Sequence, residues 1–231
     1  MVAAAAGAQT PSPSFDAASI KLNHSASIGM SGMVGIGRGG KLSMRNVPLD
    51  VLIQMAYDLR GYQLAGGPAW VAATRYDVEA KPDHAVDDHT ARLMFQNLLA
   101  DRFQLRVHHE QASVNGFYLV VDKGGSKLKP SDTPAIGFHF WGPDKIQGPG
   151  DLRMFAWALQ GVLGVPVEDH TGIAGKYEID LRWTPDSAAP SSEPSVSIFA
   201  AIRQELGLRL DATKVNVDRV VIDSVQRPKE N

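Results

Sequence analysis

The sequence predicts an α+β protein built from two similar tandem halves, each an antiparallel sheet with two helices packed on one face. Three observations carry this. "RYDVEAKPD" at residues 75–83 returns as "KYEIDLRWTPD" at 176–186, with Tyr76 and Tyr177 offset by 101 residues. Apolar residues at helical spacing precede both copies: Leu49, Leu52, Ile53 and Ala56 in one, Leu152, Phe155, Ala156 and Leu159 in the other. A helix-then-strands pattern follows both, since "RLMFQNLLADRFQLRVHHEQASVNGFYLVVD" matches "VSIFAAIRQELGLRLDATKVNVDRVVIDS". Self-similarity at a fixed spacing outranks any single motif in setting architecture.

Each element has its own justification. "SFDAASIKL" and "GFHFW" read as strands that open the halves. Pro48 suits the first turn of the first helix, and Asp151 suits the N-cap of its counterpart. In the second repeated strand Lys176, Glu178, Asp180 and Arg182 share one face, and Tyr177, Ile179, Leu181 and Trp183 share the other. The first face is wet and the second packs under helices. "FYLVVD" and "RVVIDSV" are rich in β-branched and aromatic residues, as strands are. The expected division is a tail at 1–14, a first α+β repeat at 15–130 and a second at 131–231, the two repeats forming either two domains or one continuous domain. "PDSAAPSSEPS" matches "PDHAVDDH", so it reads as a loop insertion inside the second half.

Composition narrows the function classes. A chain of 231 residues with 44% hydrophobic and 21% charged residues is ordinary for globular proteins. Its formal net charge of −2, with no basic stripe, disfavours a nucleic-acid or anionic-membrane surface. It has no cysteine, which excludes disulfides, thiolate catalysis and cysteine-ligated metal. No stretch approaches the ~18 apolar residues of a membrane span. "MVAAAAGAQTPSPSF" places Ala6-Gly7-Ala8 before Gln9 in the form of a signal-peptidase site; it reads as the remnant of an export signal or as a disordered Ala-rich tail, and on the first reading we expect a secreted or periplasmic protein. The glycines of "NHSASIGMSGMVGIGRGGKL" match no phosphate-binding fingerprint.

Several stretches resemble a known family. "FDAASIK", "GGPAWVAATRYDVEAK", "LLADRFQLRVHHE", "YLVVDKGGSKLKPS", "DHTGIAGKYEIDLRWTPD" and "VVIDSVQRP" together resemble a soil-associated, exported family of unknown function that is abundant in acidobacteria. The resemblance implies an exported protein, one of large paralogous sets, sometimes joined to a sensor-type membrane metallopeptidase domain. The half-repeat with "LSMRNVPLDVLIQMA" is similar to the short N-terminal domains of secretins and TonB-dependent receptors, small envelope modules that bind partners. Neither resemblance supplies catalytic residues.

The residues themselves offer five candidate constellations. Asp77 and Glu79 in one half and Glu178 and Asp180 in the other are paired carboxylates. Opposed across a pseudo-twofold, they could act as a glycosidase-type pair. Neighbouring Lys81, Lys176 and Arg182 point instead to surface ion pairs. Asp169 and His170, in "EDHTG", sit in a tight turn that is either a ligand site or a hairpin stabiliser. Trp70 and Trp141 lie near loops, where exposed rings could stack on sugars or partner proteins, whereas Trp157 and Trp183 read as core-facing. Asp83, His84, Asp87, Asp88 and His89 have metal-ligating side chains but no helical ligand spacing, and read as a solvated loop that caps the helix near Thr90. His108 and Glu110 would share a strand face without a nucleophile motif beside them.

The expected function is an exported cell-envelope binding module for a protein, peptide or glycan ligand. No cofactor or metal is assigned, and the oligomeric state is left open. The alternative is a secreted hydrolase using the paired carboxylates.

Overall fold

The structure, a computed structural model, describes residues 12–25, 31–134, 137–185 and 196–228. The proposed cleavage site at Ala6–Ala8 and much of the second-half insertion lie outside the described residues. The fold is α+β with antiparallel sheets, as the alternation and helical spacing predict. The chain forms two compact units: residues up to Glu110 joined by those from Asp218 onward, and Gln111–Val217. The limits of the units therefore fall inside two long strands, whereas the sequence repeat suggests a division near residue 130.

Unit one contains β1 (Ala17–Leu22), β2 (Ser31–Ile36), β3 (Leu42–Pro48), α1 (Leu49–Tyr57), β4 (Leu64–Gly66), α2 (Trp70–Ala73), β5 (Arg75–Lys81) and α3 (Asp88–Phe103). The start of β6 (Arg106–Val121) also belongs to it. Its main sheet has the order β1-β5-β3-β2 with every pair antiparallel. One face is buried: Leu42, Met44 and Val47 from β3 and Tyr76, Val78 and Ala80 from β5 pack with Leu52, Ile53 and Ala56 of α1 and Phe95, Leu99 and Phe103 of α3. All four positions that the spacing assigned to the core of α1 are fully buried. Pro48 stands just outside this helix as its N-cap, with extended backbone. Side chains of α3 finish α1: Arg92 Nη1 donates to Met55 O at 2.8 Å and Gln96 Nε2 to Ala56 O at 2.9 Å, satisfying carbonyls left over at a helix end.

Unit two contains the rest of β6, then β7 (Lys129–Pro130), β8 (His139–Phe140), β9 (Lys145–Gly150), α4 (Leu152–Leu163), β10 (Val167–Asp169), β11 (Tyr177–Arg182) and α5 (Ile198–Ala201). The helix continues through a π-type turn at Ile202–Leu206 before β12 (Leu208–Ser224), whose end returns to unit one. The sheet order is β7-β11-β9-β8. Its core joins Ile146, Ile179 and Leu181 to Leu152, Phe155, Ala156 and Leu159 of α4 and to Ile198, Ile202 and Leu206. Asp151 caps α4, accepting from Met154 N at 2.7 Å. Trp183 is buried as expected, but Trp157 is not core-facing and is 58% exposed. Two residues past Phe155, at 100° per residue, it falls on the opposite side of α4 from the buried stripe.

β6 and β12 are hydrogen-bonded neighbours. Within unit one, β4 adds to the end of β12 in parallel, Val220 opposite Leu64. Within unit two, β10 adds to the end of β6 in parallel, Val167 opposite Phe117. That second junction requires Gly116. A Cβ there would lie 2.6 Å from Pro166 O, so any side chain would force the two strands apart.

Candidate functional site

β1 lies at the end of its sheet order, so one side of it has no neighbouring strand among the described residues. The hydrogen-bond parity shows which groups that leaves open. Asn23 N donates to Arg75 O at 2.9 Å, and the β1–β5 register is unbroken from Ala17↔Lys81 to Leu22↔Tyr76. In an antiparallel pair alternate residues turn both backbone groups to the same partner. Ser19, Lys21 and Asn23 therefore face β5, and Ala18, Ile20 and Leu22 aim N–H and C=O outward. The side chains of Ala18 and Ile20 pack against the core, which holds the strand in place and leaves its backbone as the outer rim.

A groove of about 1,050 Å³ runs along this rim. One wall is β1 from Ala18 to Leu22. The other is the end of α3, at Arg102 and Gln104, with the segment after β12, at Gln226 and Arg227. Gln226 N donates to Phe103 O at 2.7 Å and fixes that segment to the helix end. Tyr76 lies at the floor. It is 1% exposed, its ring meets Phe103 edge-on at 5.0 Å between centroids, and its hydroxyl has no hydrogen-bond partner among the described residues. Burial pushes its pKa above the ordinary phenol value while the Arg227 charge pulls the other way, so at neutral pH it is a neutral donor. The Arg227 guanidinium sits 4.9 Å from the ring centroid of Trp70, a cation–π contact that orients it.

The sequence-predicted residues have well-defined places. Asp77 accepts from Asn23 Nδ2 at 2.7 Å and from Asn46 N at 2.9 Å, and so holds a bulge in β3 where Asn46 has φ +57°. Arg75 Nη1 grips the same bulge through Asn46 O at 3.0 Å. Glu79 accepts from Ser43 Oγ at 2.9 Å across the sheet. In unit two, Glu178 accepts from Ser131 Oγ and from Thr133 Oγ1, and Asp180 pairs with Lys145 Nζ at 3.1 Å. All four carboxylates thus serve the wet faces of their own sheets, as cross-strand partners do.

Asp169 closes its turn by accepting from both the N–H and the hydroxyl of Thr171, at 2.9 and 2.7 Å. His170 stacks on Tyr118 at 3.7 Å between ring centroids and lies 3.1 Å from Glu168 Oε2. Trp70 is half-buried beside Arg227, and Trp141 is 63% exposed at the tip of the β8–β9 hairpin, next to exposed Phe140. Asp87 caps α3 by accepting from Thr90 N at 2.7 Å, and that bond holds its carboxyl below the usual range. His84 Nδ1 meets its neighbour Asp83 at 2.5 Å. Among the described residues no group of three or more His, Asp or Glu is placed to hold a metal ion. His108 and Glu110 do share a face, within a cross-strand set where His108 meets Asp223 at 2.7 Å and Glu110 meets Arg219.

Of the predicted ligand-binding residues, only Trp70 touches the groove machinery, through Arg227. Tyr76 lies in the repeated "RYDVEAKPD", Arg102 in "LLADRFQLRVHHE" and Arg227 in "VVIDSVQRP", but nothing in these stretches assigns them to a groove; "FDAASIKL" signals a strand-like opening to an antiparallel sheet.

No helix among the described residues is long and apolar enough to cross a membrane. No curated protein and no solved structure matches the chain. A family model matches residues 50–225, most of both units. The chain therefore belongs to the family described as "Protein of unknown function (DUF3738)".

Proposed function

We propose that this protein is a binding module that takes up an extended peptide as an added strand on β1. The observation that carries the reading is the open β1 edge facing a groove of about 1,050 Å³. Strand addition draws affinity from main-chain hydrogen bonds and specificity from pockets for alternate side chains. Six residues of β1 offer roughly 20 Å of edge. The groove supplies what a bare edge lacks, a second wall that desolvates those bonds. We place the module outside the cytoplasm, at the cell envelope, on the sequence of its tail, and we take the two halves as copies of one unit. The shared strand order of the two sheets supports the second point. The hydrolase alternative has less to stand on, because each of the four carboxylates is engaged in cross-strand or backbone hydrogen bonds and ion pairs.

The test is binding of the purified protein to an array of randomised, strand-prone octapeptides, beside the variant Ile20→Pro. Proline is tolerated on an edge strand whose N–H faces outward. The variant should fold and lose binding at least about tenfold, by removing one main-chain donor and crowding the rim. Equal binding by the folded variant, or no binding by the natural chain, would overturn the reading.

A further inference from the structure

We propose that the groove reads the free C-terminal carboxylate of the peptide, which runs parallel to β1 and ends against Arg227 and Tyr76; this rests on the strand-addition reading above.

The cation and the donor lie at one end of the rim. Tyr76 is the register partner of Leu22, the last residue of β1, and it lines the groove, so its strand position is at the Leu22 end. Arg227 is close enough to act on the Tyr76 ionisation, and its one described contact is with the face of Trp70. A π-face takes none of its five N–H donors, so the guanidinium fork remains available to a carboxylate. Tyr76, a buried residue that lines the groove, offers a phenolic O–H, kept protonated by burial, that has nothing else to donate to among the described residues. A carboxylate arriving in the groove gives this hydroxyl an acceptor, and hydrogen bonds to charged acceptors are the stronger kind.

Strand direction then follows from charge. A peptide added parallel to β1 ends at Leu22 and brings a negative terminus to Arg227. One added antiparallel would bring its positively charged amine there instead. Asp101 also lines the groove, with Arg102 Nε 3.5 Å from its carboxylate; the other opposing influence is the end of α3, whose carbonyls carry partial negative charge. It is blunted, because Phe103 O accepts from Gln226 N at 2.7 Å and Asp101 O from Gln104 Nε2 at 2.8 Å. Lys21 is also among the residues that line the groove, but it alternates with the core-facing set. It projects on the other face of β1, opposite Asp77.

Two arrays of the same randomised octapeptides test this. One is tethered by the N-terminus and presents a free C-terminal carboxylate. The other is tethered through the C-terminus and acetylated at the N-terminus. The expected result is at least about tenfold stronger binding on the free-carboxylate array, equivalent to about 1.4 kcal/mol. Arg227→Gln, on an exposed side chain, should erase most of that preference, and Tyr76→Phe should reduce it while leaving the fold intact. Equal binding on the two arrays, binding that tracks acidic side chains on the capped array, or a preference that survives Arg227→Gln would overturn the proposal while leaving strand addition standing. Silence on both arrays would overturn strand addition itself.

Discussion

The two units arrange their sheets in the same order and treat the corresponding edge in opposite ways. In unit one the edge strand β1 is six residues long and its outer rim faces a groove. In unit two the strand in that position, β7, is two residues long and ends in Pro130, which has no N–H to offer. Short edges, lysine and proline are the devices by which sheets avoid pairing with other chains, and β7 has all three in Lys129–Pro130. The segments leading there differ too. Lys127 N bonds to Leu206 O much as Gln226 N bonds to Phe103 O, but the chain after Lys127 packs Leu128 into the unit-two core and runs on into β7. After Gln226 comes Arg227, over Trp70, at the groove. Two sheets of the same strand order thus carry a closed edge and an open one, and binding is expected only at the open one.

The comparison can be broken most severely at the groove floor. Phe103→Ala removes a fully buried ring that supports Tyr76 and should cost about 3–5 kcal/mol in denaturant unfolding. Peptide binding should fall with it, whereas the unit-two core substitution Phe155→Ala should cost a similar amount without touching the binding surface.

Backbone parity gives a sharper test. Ser19→Pro removes an N–H aimed at β5 and should destabilise unit one by more than about 1 kcal/mol, because a ladder bond is lost inside the sheet. Ala18→Pro, one residue away, removes an N–H aimed at the groove and should shift the thermal midpoint little. If both variants melt alike, the assignment of outward-facing residues is wrong.

Smaller effects test the closed edge and the helix ends. Pro130→Thr restores an N–H in unit two and should stay within about 0.5 kcal/mol of the natural chain, with no peptide binding gained, since length and groove are still missing. The helix ends offer a natural contrast as well. The helix of unit two closes on Gly207 at φ +64°, whereas α3 closes on Gln104 at φ +49°. Gln104→Gly should therefore stabilise by up to about 1 kcal/mol in thermal unfolding, less the bond from Gln104 Nε2 to Asp101 O.

Much of this fold is legible in the chain because local rules wrote it. Leu49, Leu52, Ile53 and Ala56 repeat at helical spacing and are all buried, and the alternation from Tyr177 to Trp183 gives the inner and outer faces of β11. Trp157 misleads because a large aromatic beside a buried Phe155–Ala156 pair reads as core until the helical angle is followed. The groove is not legible for a different reason. That β1 is an edge depends on its pairing with β5, some sixty residues on, and on the absence of a neighbour on its other side among the described residues. Its open donors depend on hydrogen-bond parity, which no residue type encodes. Asp77 shows the same limit. Its place in a repeated acidic strand suggests chemistry, but its partner is the backbone N–H of Asn46 in a bulge that the sequence does not announce.

Amide hydrogen exchange along β1, followed by NMR with and without saturating octapeptide from the free-carboxylate array, tests the central claim most directly. The account predicts fast exchange at Ala18, Ile20 and Leu22 in the free protein, slow exchange at Ser19 and Lys21, and protection spreading to the first three when peptide is bound. Slow exchange at all five in the free protein, or no change at Ala18, Ile20 and Leu22 on adding peptide, would contradict it.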